Sequence, residues 1–136
     1  MNVRDIMTSN AQWVDPSTTL SDAAKRMKSE KIGILPIGEN DRLIGMLSDR
    51  DIVINALAED RDVRMTPVRD AMSANVLYVF EDQSIEDAAK SMAENQVRRM
   101  PVLDRDKRLV GMVSLGDIAG KGFPGAAGSA LESIAH

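Results

Sequence analysis

Apolar and polar positions along this chain follow one pattern written twice. Residues 3–52 recur at 68–118, in step at an offset of 65 from Val3/Val68 to Pro36/Pro101 and of 66 from Arg42/Arg108 to Ile52/Ile118. One residue has therefore been added inside a loop. Leu20, Ala23, Ala24 and Met27 recur as Ile85, Ala88, Ala89 and Met92 at i, i+3, i+4 and i+7, which puts one apolar stripe on each of two helices. Thr19 with Asp22, and Ser84 with Asp87, place a hydroxyl at the N-cap and a carboxylate three residues on, the pattern that starts a helix. Apolar runs at 34–37 and 43–47, and again at 100–103 and 109–113, flank polar loops and predict hairpins. Their apolar residues are continuous rather than alternating, so both faces of each sheet need cover. Short strand-like runs stand before the helices at Trp13-Val14 and Leu77-Tyr78-Val79. Pro36 and Pro101 lack a ladder donor and predict strand edges or starts.

A copy of about 50 residues does not bury a comfortable core alone. The pattern predicts an α/β (α+β) protein of two halves that bury their remaining apolar faces together with pseudo-twofold symmetry. We divide it into a first repeat at 1–60, a linker at 61–67, a second repeat at 68–120 and a Gly/Ala-rich tail at 121–136. Glu59-Asp60-Arg61-Asp62 reads as a solvated charge cluster, and Thr66-Pro67 as a boundary. Residues 127–135 could form a short helix with too little apolar content to stand alone, so the tail is expected to be mobile or docked on a partner.

Composition narrows the chemistry. There is no cysteine, and the one histidine is His136, which removes disulfides, thiolate metal sites and most imidazole chemistry and fits a reducing, cytoplasmic setting. The first ten residues lack a signal-peptide pattern, and no apolar run approaches the roughly 18 residues of a spanning helix. A net charge of −4 with interleaved signs, one Trp, one Tyr and two Phe argue against a nucleic-acid groove. No Gly-x-x-x-x-Gly-Lys-Ser/Thr loop is present, so an enzyme is not expected.

The most pointed local signal is Gly45-Met46-Leu47-Ser48-Asp49-Arg50-Asp51, echoed by Gly111-Met112-Val113-Ser114-Leu115-Gly116-Asp117. Two readings stand. A strand ending in a helix start leaves free amides where a phosphate is favoured, and a carboxylate in that turn can accept two hydrogen bonds from a ribose diol. Alternatively Ser-x-x-Asp only caps a helix. Arg98 and Arg99 are either solvated side chains or a clamp for phosphate oxygens.

The paired openings Val-Arg-Asp-Ile-Met and Val-Arg-Asp-Ala-Met, the hydrophobic-Pro-hydrophobic segments and the two Gly-hydrophobic-hydrophobic-Ser-x-x-Asp segments together resemble the cystathionine β-synthase (CBS) domain pair, or Bateman module. The resemblance covers about 100 residues. It implies tandem repeats of β-α-β-β-α packed through their sheets, two clefts that bind adenosine-containing ligands, and a disc-shaped homodimer. It also implies composite clefts. One combines Ser48, Arg50 and Asp51 with Leu77, Val97, Arg98 and Arg99; the other combines Ser114 and Asp117 with Gln12, Ile32 and Gly33. The three arginines make the cleft with Asp51 the tighter phosphate binder. The function implied is a regulatory module that senses AMP, ADP or ATP for an unknown protein effector, with no obligatory cofactor and no metal. The alternative is a structural dimerisation module with empty clefts.

Overall fold

The computed structural model describes residues 1–9 and 13–120, together with Gly125, Gly128 and Ile134. The chain divides into two compact units. One is Gln12–Val76; the other joins Met1–Ala11 to Leu77–His136. The opening segment of the first copy is thus built into the unit of the second, and the opening segment of the second copy into the unit of the first.

The unit Gln12–Val76 holds helix α1 (Leu20–Glu30), the hairpin of β2 (Ile34–Glu39) and β3 (Arg42–Ser48), and α2 (Asp49–Ile52), which continues as a π-helical turn over Val53–Leu57. The expected run at Trp13-Val14 is reduced to one parallel bridge, Val14 to Ile37. Thr19 caps α1 by accepting the Asp22 N–H at 3.2 Å. Of the expected stripe, Leu20, Ala23 and Met27 are buried, whereas Ala24 is exposed. Lys31, with φ at 56°, turns the chain out of the helix in the left-handed region. The core gathers Val14, Leu20, Leu35, Ile37 and Leu47 with Val68 and Ala71 from the copied opening segment. Residues 61–67 are tethered to the start of α1: Leu20 donates to the Thr66 carbonyl and Ser21 to that of Val63, each at 2.9 Å.

The second unit repeats this order with β4 (Val79–Phe80), α3 (Ile85–Asn95), β5 (Arg99–Leu103), β6 (Leu109–Ser114) and α4 (Leu115–Gly120). It adds β1 (Thr8–Ser9), antiparallel to β6, giving the strand order β1-β6-β5-β4. The stripe Ile85, Ala88, Ala89 and Met92 is wholly buried, and Val3 and Ile6 of the opening segment join the same core. Ile134 packs against it; the rest of the expected tail helix, apart from Gly128, lies outside the described residues. Val3 donates to the Gln83 carbonyl and Arg4 to that of Glu81, both at 2.9 Å, as Val68 and Arg69 donate to Thr18 and Pro16 in the other unit.

The hairpins explain the change of offset. β2 and β3 are joined by Asn40 and Asp41, at φ 55° and 62°, the two-residue turn whose twist matches paired strands. In the second hairpin three residues, Arg105 to Lys107, span Asp104 and Arg108, with Lys107 at φ 64°. The added residue therefore changes a turn and leaves the pleat in register. Pro101 lies inside β5, a strand flanked by β6 and β4, not at the edge or start expected, whereas Pro36 lies within β2, an edge strand of the two-stranded sheet β2-β3. Pro36 is opposite Met46, whose N–H and C=O both bond to Ser73, so the missing proline donor leaves no orphan there.

Among the described residues no helix is long and apolar enough to cross a membrane.

Candidate functional site

In each unit one turn carries most of the candidate chemistry. β3 runs directly into α2, and Ser48 is the N-cap. Its Oγ accepts the Asp51 N–H at 3.0 Å, and its own N–H donates to Asp51 Oδ2 at 2.8 Å. β6 runs into α4 in the same way: Asp117 N–H donates to Ser114 Oγ at 3.1 Å, and Ser114 N–H to Asp117 Oδ2 at 2.9 Å. Both turns are therefore closed capping boxes. Capping is fully satisfied, but it uses only one carboxylate oxygen. Oδ1 of Asp51 and of Asp117 accepts no hydrogen bond among the described residues, and both side chains are half-buried. Each turn thus keeps an acceptor that the fold does not consume.

The start of the preceding hairpin strand lies against each turn. Asp49 N–H donates to the Gly33 carbonyl at 2.8 Å, and Leu115 N–H to the Arg98 carbonyl at 3.0 Å. Ile34 is in register with Ser48, and Arg99 with Ser114. In the unit Gln12–Val76, Ser48, Arg50, Asp51, Ile32 and Gly33 are accordingly neighbours in the fold. Ile32 packs on the core, and its N–H donates to the Met27 carbonyl at 3.1 Å. Gln12 lies outside the described residues. In the other unit, Val97, Arg98, Arg99, Ser114 and Asp117 are brought together the same way. Val97 packs on the core, whereas Leu77 stands before β4 with 37% of its surface exposed. Arg50, Arg98 and Arg99 are exposed and make no ion pair among the described residues, which leaves their charge available.

Sequence reasoning passed over one residue of this turn. A Cβ on Gly33 would meet Asp49 Oδ2 at 3.0 Å and Cγ at 3.3 Å, so the Asp49 carboxylate lies on the bare α-carbon. Its counterpart in the second copy is Leu115, buried in the core. Aligning Asp49 with Leu115 would have shown the loss of a charge; only the fold brings that charge to Gly33.

The CBS domain family matches this chain twice, at residues 3–57 and 68–121. This chain belongs to the CBS-domain family. The CBS matches account for most of the chain. It is 41% identical over 136 residues to the CBS domain-containing protein YhcV of Bacillus subtilis (strain 168), covering 99% of this chain and 96% of that protein. Among solved structures, Hypoxic Response Protein I with two coordinated zinc ions superposes with a TM-score of 0.80 at 42% identity, over 88% of this chain and 98% of that one. CBSX2 in complex with AMP gives 0.77 at 29% identity, over 90% and 96%. The CBS domain pair of MJ0100, in complex with 5′-methylthioadenosine and S-adenosyl-L-methionine, gives 0.77 at 28% identity, over 92% and 97%.

The chain offers no cysteine and a single histidine, and among the described residues no three His, Cys, Asp or Glu side chains are grouped as metal ligands would be.

Proposed function

We propose that this CBS pair is a regulatory module that binds an adenosine-containing nucleotide, AMP, ADP or ATP. The carrying observation is the spare Oδ1 of Asp51 and of Asp117, each in a turn whose capping is already complete. A carboxylate oxygen fixed by its partner oxygen is preorganised to accept hydroxyl donors from a ribose diol. The AMP complex of CBSX2 and the adenosyl complexes of the MJ0100 pair support the ligand class.

By likeness to the family, one binding set is Ser48, Arg50 and Asp51 with Leu77, Val97, Arg98 and Arg99, and the other is Ser114 and Asp117 with Gln12, Ile32 and Gly33. The arginines of the first favour phosphates. The output is a change of affinity for a protein effector, which requires the ligand to favour one of two arrangements. Homodimer assembly belongs to the same proposal. Val53, Ile54 and Leu57 on the π-helical turn expose 50%, 49% and 64% of their surface and offer apolar area for it.

Thermal unfolding with AMP, ADP, ATP, NAD and S-adenosylmethionine tests the proposal in the whole chain and in Asp51→Ala and Asp117→Ala. A ligand at a hundredfold its Kd stabilises by about 2.7 kcal/mol. The second reading, a structural dimerisation module, is favoured by the closed capping boxes themselves; no response from any ligand would establish it instead.

A further inference from the structure

Around one matched backbone hydrogen bond the two copies carry opposite charge, on its donor residue in one and on its acceptor residue in the other. Where Asp49 N–H meets the Gly33 carbonyl in one unit, Leu115 N–H meets the Arg98 carbonyl in the other. Arg98 is exposed and followed by Arg99, whereas Gly33 is bare and has a carboxylate laid on it. That carboxylate is held in place: Asp49 Oδ1 accepts the Arg50 N–H at 2.8 Å, and Oδ2 lies against Gly33. No cation pairs with Asp49 among the described residues, so its charge is not neutralised. Gly33 and Asp49 also depend on one another, because a side chain at 33 would displace the carboxylate.

Resting on the adenosyl-binding reading above, we propose that Asp49 makes the site lined by Gly33 select adenosine ligands with an uncharged or cationic 5′ substituent, a thioether or a sulfonium, over a 5′ phosphate. The reason is the sign of the field. A phosphate approaching Gly33 meets a fixed negative charge at short range, and a sulfonium meets an attraction of similar size. A neutral thioether feels little of either. Asp49 is a specificity-determining residue here and needs no bond to the ligand.

The test is isothermal titration of the full chain and of Asp49→Asn with adenosine, 5′-methylthioadenosine, AMP and S-adenosylmethionine. The isosteric amide removes charge and keeps shape. Asp49→Asn should bind AMP about fivefold more tightly at its weaker site and S-adenosylmethionine about fivefold more weakly, and both shifts should shrink in 0.5 M salt. Adenosine and methylthioadenosine should move less than about twofold, which also shows that the site is intact. All four ligands shifting together, or none shifting while binding persists, would overturn the assignment. If none of the four binds the wild-type chain, the adenosyl-binding reading itself fails and this inference falls with it.

Discussion

Asp51 and Ser48 hold each other twice, the serine amide on the aspartate carboxylate at 2.8 Å and the aspartate amide on the serine hydroxyl at 3.0 Å. A capping role and a ligand role can therefore be separated by choice of substitution. Asp51→Asn keeps an acceptor oxygen for the Ser48 amide and loses the charge offered to a diol. Its unfolding free energy should stay within about 0.5 kcal/mol of wild type, against a loss of about 1 kcal/mol for Asp51→Ala. Stabilisation by AMP should fall in both. Urea titrations with and without AMP measure the two effects side by side.

Gly45 and Gly111 are close-approach positions. A Cβ on Gly45 would meet Met72 Sδ at 2.6 Å and the Ser73 carbonyl at 2.9 Å; on Gly111 it would meet the Thr8 carbonyl at 2.7 Å and Met7 Sδ at 2.9 Å. The methionines can move, but the carbonyls belong to the paired opening segments. Gly45→Ala and Gly111→Ala should each destabilise by about 1–3 kcal/mol, read as a lower urea midpoint. Gly116→Ala, whose Cβ would meet nothing closer than Ser114 Oγ at 3.5 Å, is the matched control.

Arg105 grips Asp82 through two hydrogen bonds, at 2.9 and 2.7 Å, while its guanidinium lies 4.2 Å from the centre of the Phe80 ring. The hydrogen bond from Arg105 holds the Asp82 carboxyl below its usual range. A carboxyl depressed on folding contributes stability above its unfolded pKa, near 4. That contribution is lost as pH falls through the lower folded value. Wild type should therefore exceed Asp82→Asn in stability at pH 6, with the gap closing as pH falls below about 4. The gap should also narrow in high salt, because the pair is on the surface. Melting temperatures on a pH series from 6 to 2.5 check this.

Leu57 is the most exposed apolar residue of the π-helical turn. If a second copy covers that turn, Leu57→Glu places a charge in the interface and should shift the sedimentation coefficient from dimer towards monomer while the unfolding midpoint at high dilution stays unchanged. A wild-type chain that sediments as a monomer at all concentrations would refute homodimer assembly.

Much of the fold was legible because duplication repeats its own signals. The stripe at Ile85, Ala88, Ala89 and Met92 supports the one at Leu20, Ala23 and Met27, and the caps at Thr19 and Ser84 lie where the hydroxyls indicated. Ala24 escaped because a helical stripe fixes an angle, and how wide a strip is covered depends on the neighbours. The place of Pro36 within its strand, rather than at the start, was hidden for a related reason. Proline is excluded from positions whose N–H is needed, and which positions of a strand are spared follows from pairing register, here the turning of Met46 towards Ser73. At the candidate site the residues Ser48, Asp51, Ser114 and Asp117 were legible as a motif. The position of Asp49 on Gly33 was not, because a contact across 16 residues with no counterpart in the second copy leaves no pattern to find.

The exchange of opening segments sets an order of events at the ribosome. Everything that the unit Gln12–Val76 needs is contiguous, so it can close as soon as residue 76 has emerged. Thr8 and Ser9, by contrast, wait for Met112 and Gly111 of β6, more than a hundred positions later. During synthesis the core that receives Val3 and Ile6 does not exist until the second copy has emerged, so the opening segment waits for a partner that the chain has yet to supply.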